Sequence, residues 1–396
     1  MANIVIGKCS KAVNFMPDKW GAIGGDNEAP TLFLSLAKQN PQNTYYMISR
    51  SNFSKMPEEF KREYPNIIDV WEEYDKPIKQ ADDAYAHPYK WMTEHNVHID
   101  TGVFYSGPAG TASIPNVIKH PDGTYYTALV CFKNYAAPIH DFCNRSGIKY
   151  LHLLVDPRYF PYRCADLFNR PAKILSQFEG SATYRHIISY ENLTMVPHRE
   201  NITYNEIEKV FLIGRQKLDF SKLEKTTKML IVLNEGKNRA PSRGPDLKKY
   251  VLDNFPDVKV YGDWSEDWVK RYPENFQGPK KFIELEPVLK SVKYTFIIPI
   301  NRGWVTAKIW EMLHYGIIPF MHPWYDEQKH IPVPDFIRVK NPEDLKEKIA
   351  LLEANPSMYK SLLNDLQKLL LDSYYDGSRV NNIITDAFKE IGVKNV

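Results

Sequence analysis

Lys308 and Glu311 stand three residues apart, the spacing that puts two side chains on one face of a helix. They follow a hydrophobic strand ending in Pro299-Ile300-Asn301-Arg302-Gly303-Trp304 and open a helix predicted over Thr306 to Tyr315. A carboxylate in that position can accept both hydroxyls of a ribose. A cation beside it, helped by the positive end of the helix, meets a diphosphate. Taken alone, the same pair also reads as an ordinary solvated surface contact.

A second constellation lies between Leu233 and Gly244, where a strand runs into a glycine-containing loop carrying Lys237, Arg239 and Arg243 before the next helix. Backbone can approach a ligand closely at Gly236, and two arginines four apart can clamp a pyrophosphate in bidentate fashion. A solvated basic loop is the alternative. The chain has neither a P-loop nor a GxGxxG fingerprint, so nothing points to ATP hydrolysis or hydride transfer.

In the N-terminal half, Leu151 to Phe160 places Asp156 at the C-terminal end of a hydrophobic strand, where open α/β sheets present their chemistry. A carboxylate partly shielded there can take a proton from an acceptor hydroxyl, and it can equally cap the following turn. Glu28 closes the loop Gly24 to Pro30 after the first strand. It reads either as a group that holds sugar hydroxyls or as a helix N-terminal charge with a favourable dipole interaction. His95, His98 and Asp100 are spaced too loosely for a metal motif and fall at a strand entry, so no metal site is expected.

The elements that must position these groups alternate between strand and helix. Ile4 to Ile6, a helix over Ala29 to Lys38, Thr44 to Ile48, Val97 to Phe104, a helix over Ala136 to Arg145, Tyr150 to Val155, Lys173 to Ser176 and Leu193 to Pro197 form a first series. The polar stretch Ser51 to Glu94 reads as an insertion or a mobile edge, and the charged stretch Arg199 to Lys228 as the segment carrying the linker. A second series follows: Met229 to Leu233, a helix over Asp246 to Asn254, Val258 to Tyr261, Tyr294 to Ile298, the Thr306 to Tyr315 helix, Ile317 to Met321 and Phe336 to Val339. Helices over Pro342 to Ala354, Pro356 to Leu371 and roughly Ser378 to Ile391 close the chain. Such alternation predicts parallel sheets built from βαβ units. At 396 residues, two domains are expected: residues 1–200, residues 201–375, and a last helix in 376–396 packing back on the first.

Composition narrows the class. No apolar run approaches a membrane span and Met1 to Lys11 carries no signal-peptide pattern, so a soluble, cytoplasmic protein is expected. Cys9, Cys131, Cys143 and Cys164 form no CxxC pair and read as reduced thiols. With 51 basic and 48 acidic residues the net charge is +3, so a polyanionic partner must be met by a local patch.

Together these segments resemble the bacteriophage DNA β-glucosyltransferase family, GT-B enzymes that put glucose on 5-hydroxymethylcytosine in phage DNA. Ile4-Val5-Ile6 followed by Val13-Asn14-Phe15 is similar to that family's first strand and donor loop, with Glu28 at its early acidic residue. Tyr150 to Pro161 resembles its strand and catalytic aspartate, which nominates Asp156 as general base. Arg239 and Arg243 match its diphosphate-binding arginines. Lys308-Ile309-Trp310-Glu311-Met312 resembles its uridine-binding helix, with Glu311 at the ribose-binding acid and Lys308 in place of an arginine.

The resemblance implies an α/β fold of GT-B type, two doubly wound Rossmann-like domains facing a central cleft. It implies inverting transfer from a UDP-sugar to a hydroxylated pyrimidine of double-stranded DNA by a monomer in the infected host's cytoplasm, with no essential cofactor and a divalent cation at most stimulatory. Glucose is the family's donor, and the lysine at 308 makes UDP-arabinose the alternative. Reaching a base in a duplex requires flipping it out; Lys133, Arg158, Tyr159, Phe160, Tyr162, Arg163 and Arg170 are the residues expected at that surface. Two rival readings are a GT-B enzyme with a glycan or small-molecule acceptor and an inactive nucleotide-sugar or DNA-binding module.

Overall fold

The structure is a computed structural model. It describes residues 1–8, 13–15, 28–70, 83–106, 113–119, 125–131, 150–154, 172–176, 202–204, 212–235, 243–299, 306–327, 329, 331–390 and 392–393. The chain divides into two compact units: residues 1–114, 129–214 and 376–396 in the first, and residues 115–128 and 215–375 in the second. The first unit thus runs to Gly214, and the last helix belongs to it.

The first unit is built on β1 (Asn3–Lys8), β2 (Thr44–Met47), β3 (Ile67–Asp69), β4 (Thr101–Ser106), β7 (Tyr150–Leu154), β8 (Ala172–Ser176) and β9 (Ile202–Tyr204). They form one parallel sheet in the order β3-β2-β1-β4-β7-β8-β9. Strands β5 (Ser113–Lys119) and β6 (Tyr125–Cys131) pair separately with each other, an element the hydrophobic pattern had not announced. The central strands are apolar because they are covered: Ile4, Ile6, Tyr45, Met47, Val103 and Leu151 share a core with Leu32, Phe33 and Leu36 of the Glu28–Gln39 helix and with Val380, Ile384 and Phe388 of the Ser378–Glu390 helix.

The second unit carries β10 (Thr227–Val232), β11 (Lys259–Tyr261), β12 (Val292–Ile297) and β13 (Ile318–Met321) in the parallel order β11-β10-β12-β13. Every residue of β13 is buried although it ends the sheet. Its outer edge is closed in part by a bridge from Met321 to Arg338, where Val339 N–H donates to Met321 O at 3.0 Å, a spacing typical of a ladder.

Several expectations are corrected. Ser51 to Glu94, expected as an insertion or a mobile edge, lies at the sheet's edge and supplies its end strand β3 and the helices Glu58–Arg62 and Asp83–Glu94. The stretch Arg199 to Lys228 holds the boundary between the units at Gly214 and, ahead of it, β9, which pairs with β8. Of the three residues placed at a strand entry, His98 and Asp100 do lead into β4, which starts at Thr101, whereas His95 belongs to the turn that ends the preceding helix, with Asn96 at φ 52° and Val97 N–H donating back to Met92 O. Phe336 to Val339 is a 3₁₀ turn over Asp335–Ile337 plus the Met321 bridge, since Pro334 precedes it and only one residue pairs. The expected helix from Asp246 is one α-turn, Gly244–Leu247, followed by a π-helix, Lys248–Leu252.

Candidate functional site

Strand order fixes where ligands of such sheets bind: at the C-terminal ends of the two neighbouring strands whose connections leave in opposite directions. In the first unit those are β1 and β4, and in the second they are β10 and β12. The loop leaving β10 is the basic segment that ends at Arg243, and the loop leaving β12 leads into the Lys308–His314 helix. Arg243 and Lys308, 65 positions apart in sequence, therefore follow the two neighbouring strands that flank one switch point.

Within the helix, Lys308 Nζ lies 2.6 Å from Glu311 Oε2, with Glu311 only 4% exposed and the lysine side chain about a quarter exposed. The i,i+3 pair is thus a largely buried ion pair, which needs its partners in place because an uncompensated carboxylate there is costly. Its surroundings are fixed from both sides. Thr306 N–H donates to the Tyr325 hydroxyl at 3.0 Å, and that hydroxyl donates to Thr306 O at 2.9 Å. At the far end Gly316, at φ 63°, closes a Schellman motif in which Ile317 N–H donates to Met312 O and Gly316 N–H to Leu313 O. Lys225 Nζ donates to the carbonyl of Tyr315 at 2.6 Å, and burial pushes that ammonium down to about 7. Beneath it the Tyr375 hydroxyl is 3.2 Å from His314 Nδ1, whose ring burial holds down at about 3, so the imidazole is neutral.

Arg243 caps the Gly244–Leu247 turn, and its Nη1 donates to Asn234 O at 3.3 Å, joining the two ends of the basic loop. Past β13, His322 is buried against Tyr250, Phe296 and Trp324, accepts from Trp324 N–H through Nδ1 at 3.1 Å, and turns Nε2 towards Asp246, 3.7 Å away. His322, Tyr325 and the tryptophans that border the loop were not singled out from sequence. The run His322-Pro323-Trp324-Tyr325 directly after a strand was the available signal.

In the first unit Glu28 is the first residue of the Glu28–Gln39 helix, on the chain that leaves β1 at the switch point. The Val13 to Phe15 segment of that connection is tied down: Val13 N–H donates to Arg50 O at 2.8 Å, Phe15 N–H to Asn52 Oδ1 at 2.6 Å, and the Phe15 ring meets Phe53 edge-on. Asp156 follows the last residue of β7, Leu154, by two positions. Asp156 itself lies outside the described residues, as do Lys133, Arg158, Tyr159, Phe160, Tyr162, Arg163, Arg170, Gly236 and Arg239. Among the described residues there is no group of three or more His, Cys, Asp or Glu placed to hold a metal ion, and no helix long and apolar enough to cross a membrane.

No protein-family model matches the chain, and the comparison with curated proteins finds no match. Solved structures do match in shape. The T4 phage β-glucosyltransferase in complex with UDP-glucose superposes over 98% of this chain and 99% of its own, at TM-score 0.57 and 15% identity. The chain has the GT-B fold. Anabaena HepE in complex with UDP-glucose matches over 98% of this chain and 100% of its own, at TM-score 0.58 and 10% identity. A glycosyltransferase from Rickettsia africae matches over 100% and 99%, at TM-score 0.55 and 13% identity. The T4 enzyme has also been crystallised with UDP and Mn2+. At these identities the likeness is one of fold.

Proposed function

We propose that this chain is a UDP-sugar-dependent glycosyltransferase whose acceptor is the hydroxyl of 5-hydroxymethylcytosine in DNA. The observation that carries the donor half is the strand order, in which β10, followed by the loop that ends at Arg243, lies beside β12, followed by the helix that holds the Lys308–Glu311 pair. Support comes from a fold shared with proteins crystallised with UDP-glucose, one of them a DNA-modifying enzyme.

In this reading Glu311 holds the ribose hydroxyls, and Arg239, Arg243 and Lys308 carry the diphosphate, with Gly236 letting the backbone approach. Glu28 contacts the sugar. Asp156 takes the proton from the acceptor hydroxyl as its oxygen forms a bond to the anomeric carbon on one face. The bond from that carbon to the diphosphate oxygen breaks on the other, so configuration inverts and UDP leaves with the electron pair. No covalent enzyme intermediate is formed. The segment from Arg158 to Arg170, with Lys133, faces the DNA and offsets the few kcal/mol that flipping a base costs.

The test is incubation with duplex DNA containing 5-hydroxymethylcytosine and either UDP-glucose or UDP-arabinose, followed by mass spectrometry of the nucleosides. A hexose or pentose added by the wild type and not by Asp156→Asn is the expected result, and the mass names the donor. No adduct with either donor sinks the DNA reading. The second reading, transfer to an acceptor other than DNA, is favoured by the net charge of +3 and by the equally good fit to HepE. It predicts donor-dependent glycosylation of glycan acceptors and no retention on DNA.

A further inference from the structure

The two ends of the basic loop are fixed by the segment that follows β11, which the reading above leaves without a role. At the start of the loop, Trp264 Nε1 donates to Leu233 O at 2.6 Å and Asp263 N–H to Asn234 Oδ1 at 2.8 Å. Glu235 completes the joint: its N–H donates to Asp263 O at 2.9 Å, and its Oε2 accepts from Ser265 N–H at 2.7 Å. At the end of the loop, Gly244 lies so close to the indole of Trp268 that a Cβ at 244 would collide with three ring atoms.

Trp268 is itself held in place. Tyr272 stacks on it with centroids 6.0 Å apart and planes 15° from parallel, Trp264 meets it edge-on, and the Arg271 guanidinium sits 5.4 Å from its ring centre. Gly244 directly follows Arg243, and the chain beyond gives one α-turn before relaxing into the π-helix Lys248–Leu252. Single π-turns are uncommon and recur at functional sites, where they re-aim the chain. Here the π-turn brings Tyr250 flat against Phe296 and edge-on to His322.

We propose that Trp268 is a positioning residue for diphosphate binding. Its indole fills the space a side chain at 244 would take and is the surface against which the chain turns, which sets where Arg243 stands without the indole touching the donor. The inference rests on the reading of Arg239 and Arg243 as diphosphate ligands.

The experiment is calorimetric titration of the full chain with UDP and with uridine, alongside melting temperatures, for wild type, Trp268→Ala, Trp268→Phe, Arg243→Ala and the Trp268→Ala/Arg243→Ala pair. Trp268→Ala is expected to weaken UDP binding about tenfold and to leave uridine binding unchanged, with Trp268→Phe recovering most of the loss. In the Arg243→Ala background the same replacement adds nothing. Unchanged UDP affinity, an equal loss for uridine, or full additivity with Arg243→Ala overturns the inference. If Trp268→Ala does not fold, Gly244→Ala and Trp268→Phe serve: the methyl displaces the indole, and unchanged UDP affinity in Gly244→Ala is then the contrary result. A wild type that does not bind UDP overturns the donor reading and this inference together; a wild type that binds UDP with an indifferent Trp268 overturns this inference alone.

Discussion

Glu311 is nearly closed off from solvent and Lys308 stands 2.6 Å away, so each residue's replacement depends on the other. Lys308→Met leaves a buried carboxylate behind and is expected to cost roughly 1 to 3 kcal/mol, reduced from the fully buried case because the lysine is partly exposed. The Lys308→Met/Glu311→Leu pair removes both charges and is expected to be more stable than the single variant; denaturant unfolding that finds the two losses additive would count against the geometry. His314 supplies a pH test. Burial, then Arg215 and Lys290, depress its pKa from 6.5 to about 3, so as pH falls the unfolded chain takes the proton first. Its contribution is complete above about pH 6.5 and is lost down to about pH 3, at a slope approaching about 1.4 kcal/mol per pH unit. Stability curves across that window should flatten in His314→Gln, and parallel curves would show that His314 is not the titrating group. The Lys308 and Glu311 pairing was legible because helix periodicity is local. Trp268 was not, since its partner Gly244 is 24 positions away and aromatic residues are more often simple core.

At the scale of elements, glycine marks the places where the chain cannot move. Gly262 adopts φ 145° at the end of β11, and a Cβ there would collide with the carbonyl oxygen of Leu233. Backbone gives way less readily than a side chain, so Gly262→Ala is expected to cost about 2 to 3 kcal/mol and to weaken UDP binding by loosening the joint at Asn234 and Glu235. Thermal unfolding and titration check the two halves of that statement; a variant with wild-type values in both would mean the joint is not rigid. Strands with apolar runs, such as β1 and β13, were legible, because burial on both faces leaves that mark. The short edge strand β3 was hidden in a polar stretch, since three residues at a sheet edge need little apolar sequence. The π-helix after Leu247 also left no trace, because the rings that Tyr250 meets from it, Phe296 and His322, are distant in sequence.

Across the whole molecule, the alternation of strand and helix announced two α/β units, and strand order then located a switch point in each. Order is set by which strands pair, which no local pattern records, so residue spacing nominates Arg243 and Glu311 separately and the family resemblance alone implied one donor between them. The Ser378–Glu390 helix was expected to pack back on the first unit, while the partners it meets there, the Glu28–Gln39 helix and β7, belong to the fold. The central claim is that the β10/β12 switch point holds a uridine diphosphate. Calorimetric titration with UDP of wild type, Arg243→Ala and Glu311→Gln tests it most directly. Saturable binding by the wild type is expected, with at least about a tenfold loss in each variant and with uridine affected by Glu311→Gln and not by Arg243→Ala. Wild-type affinity in both variants, or no binding of UDP by the wild type, would contradict it.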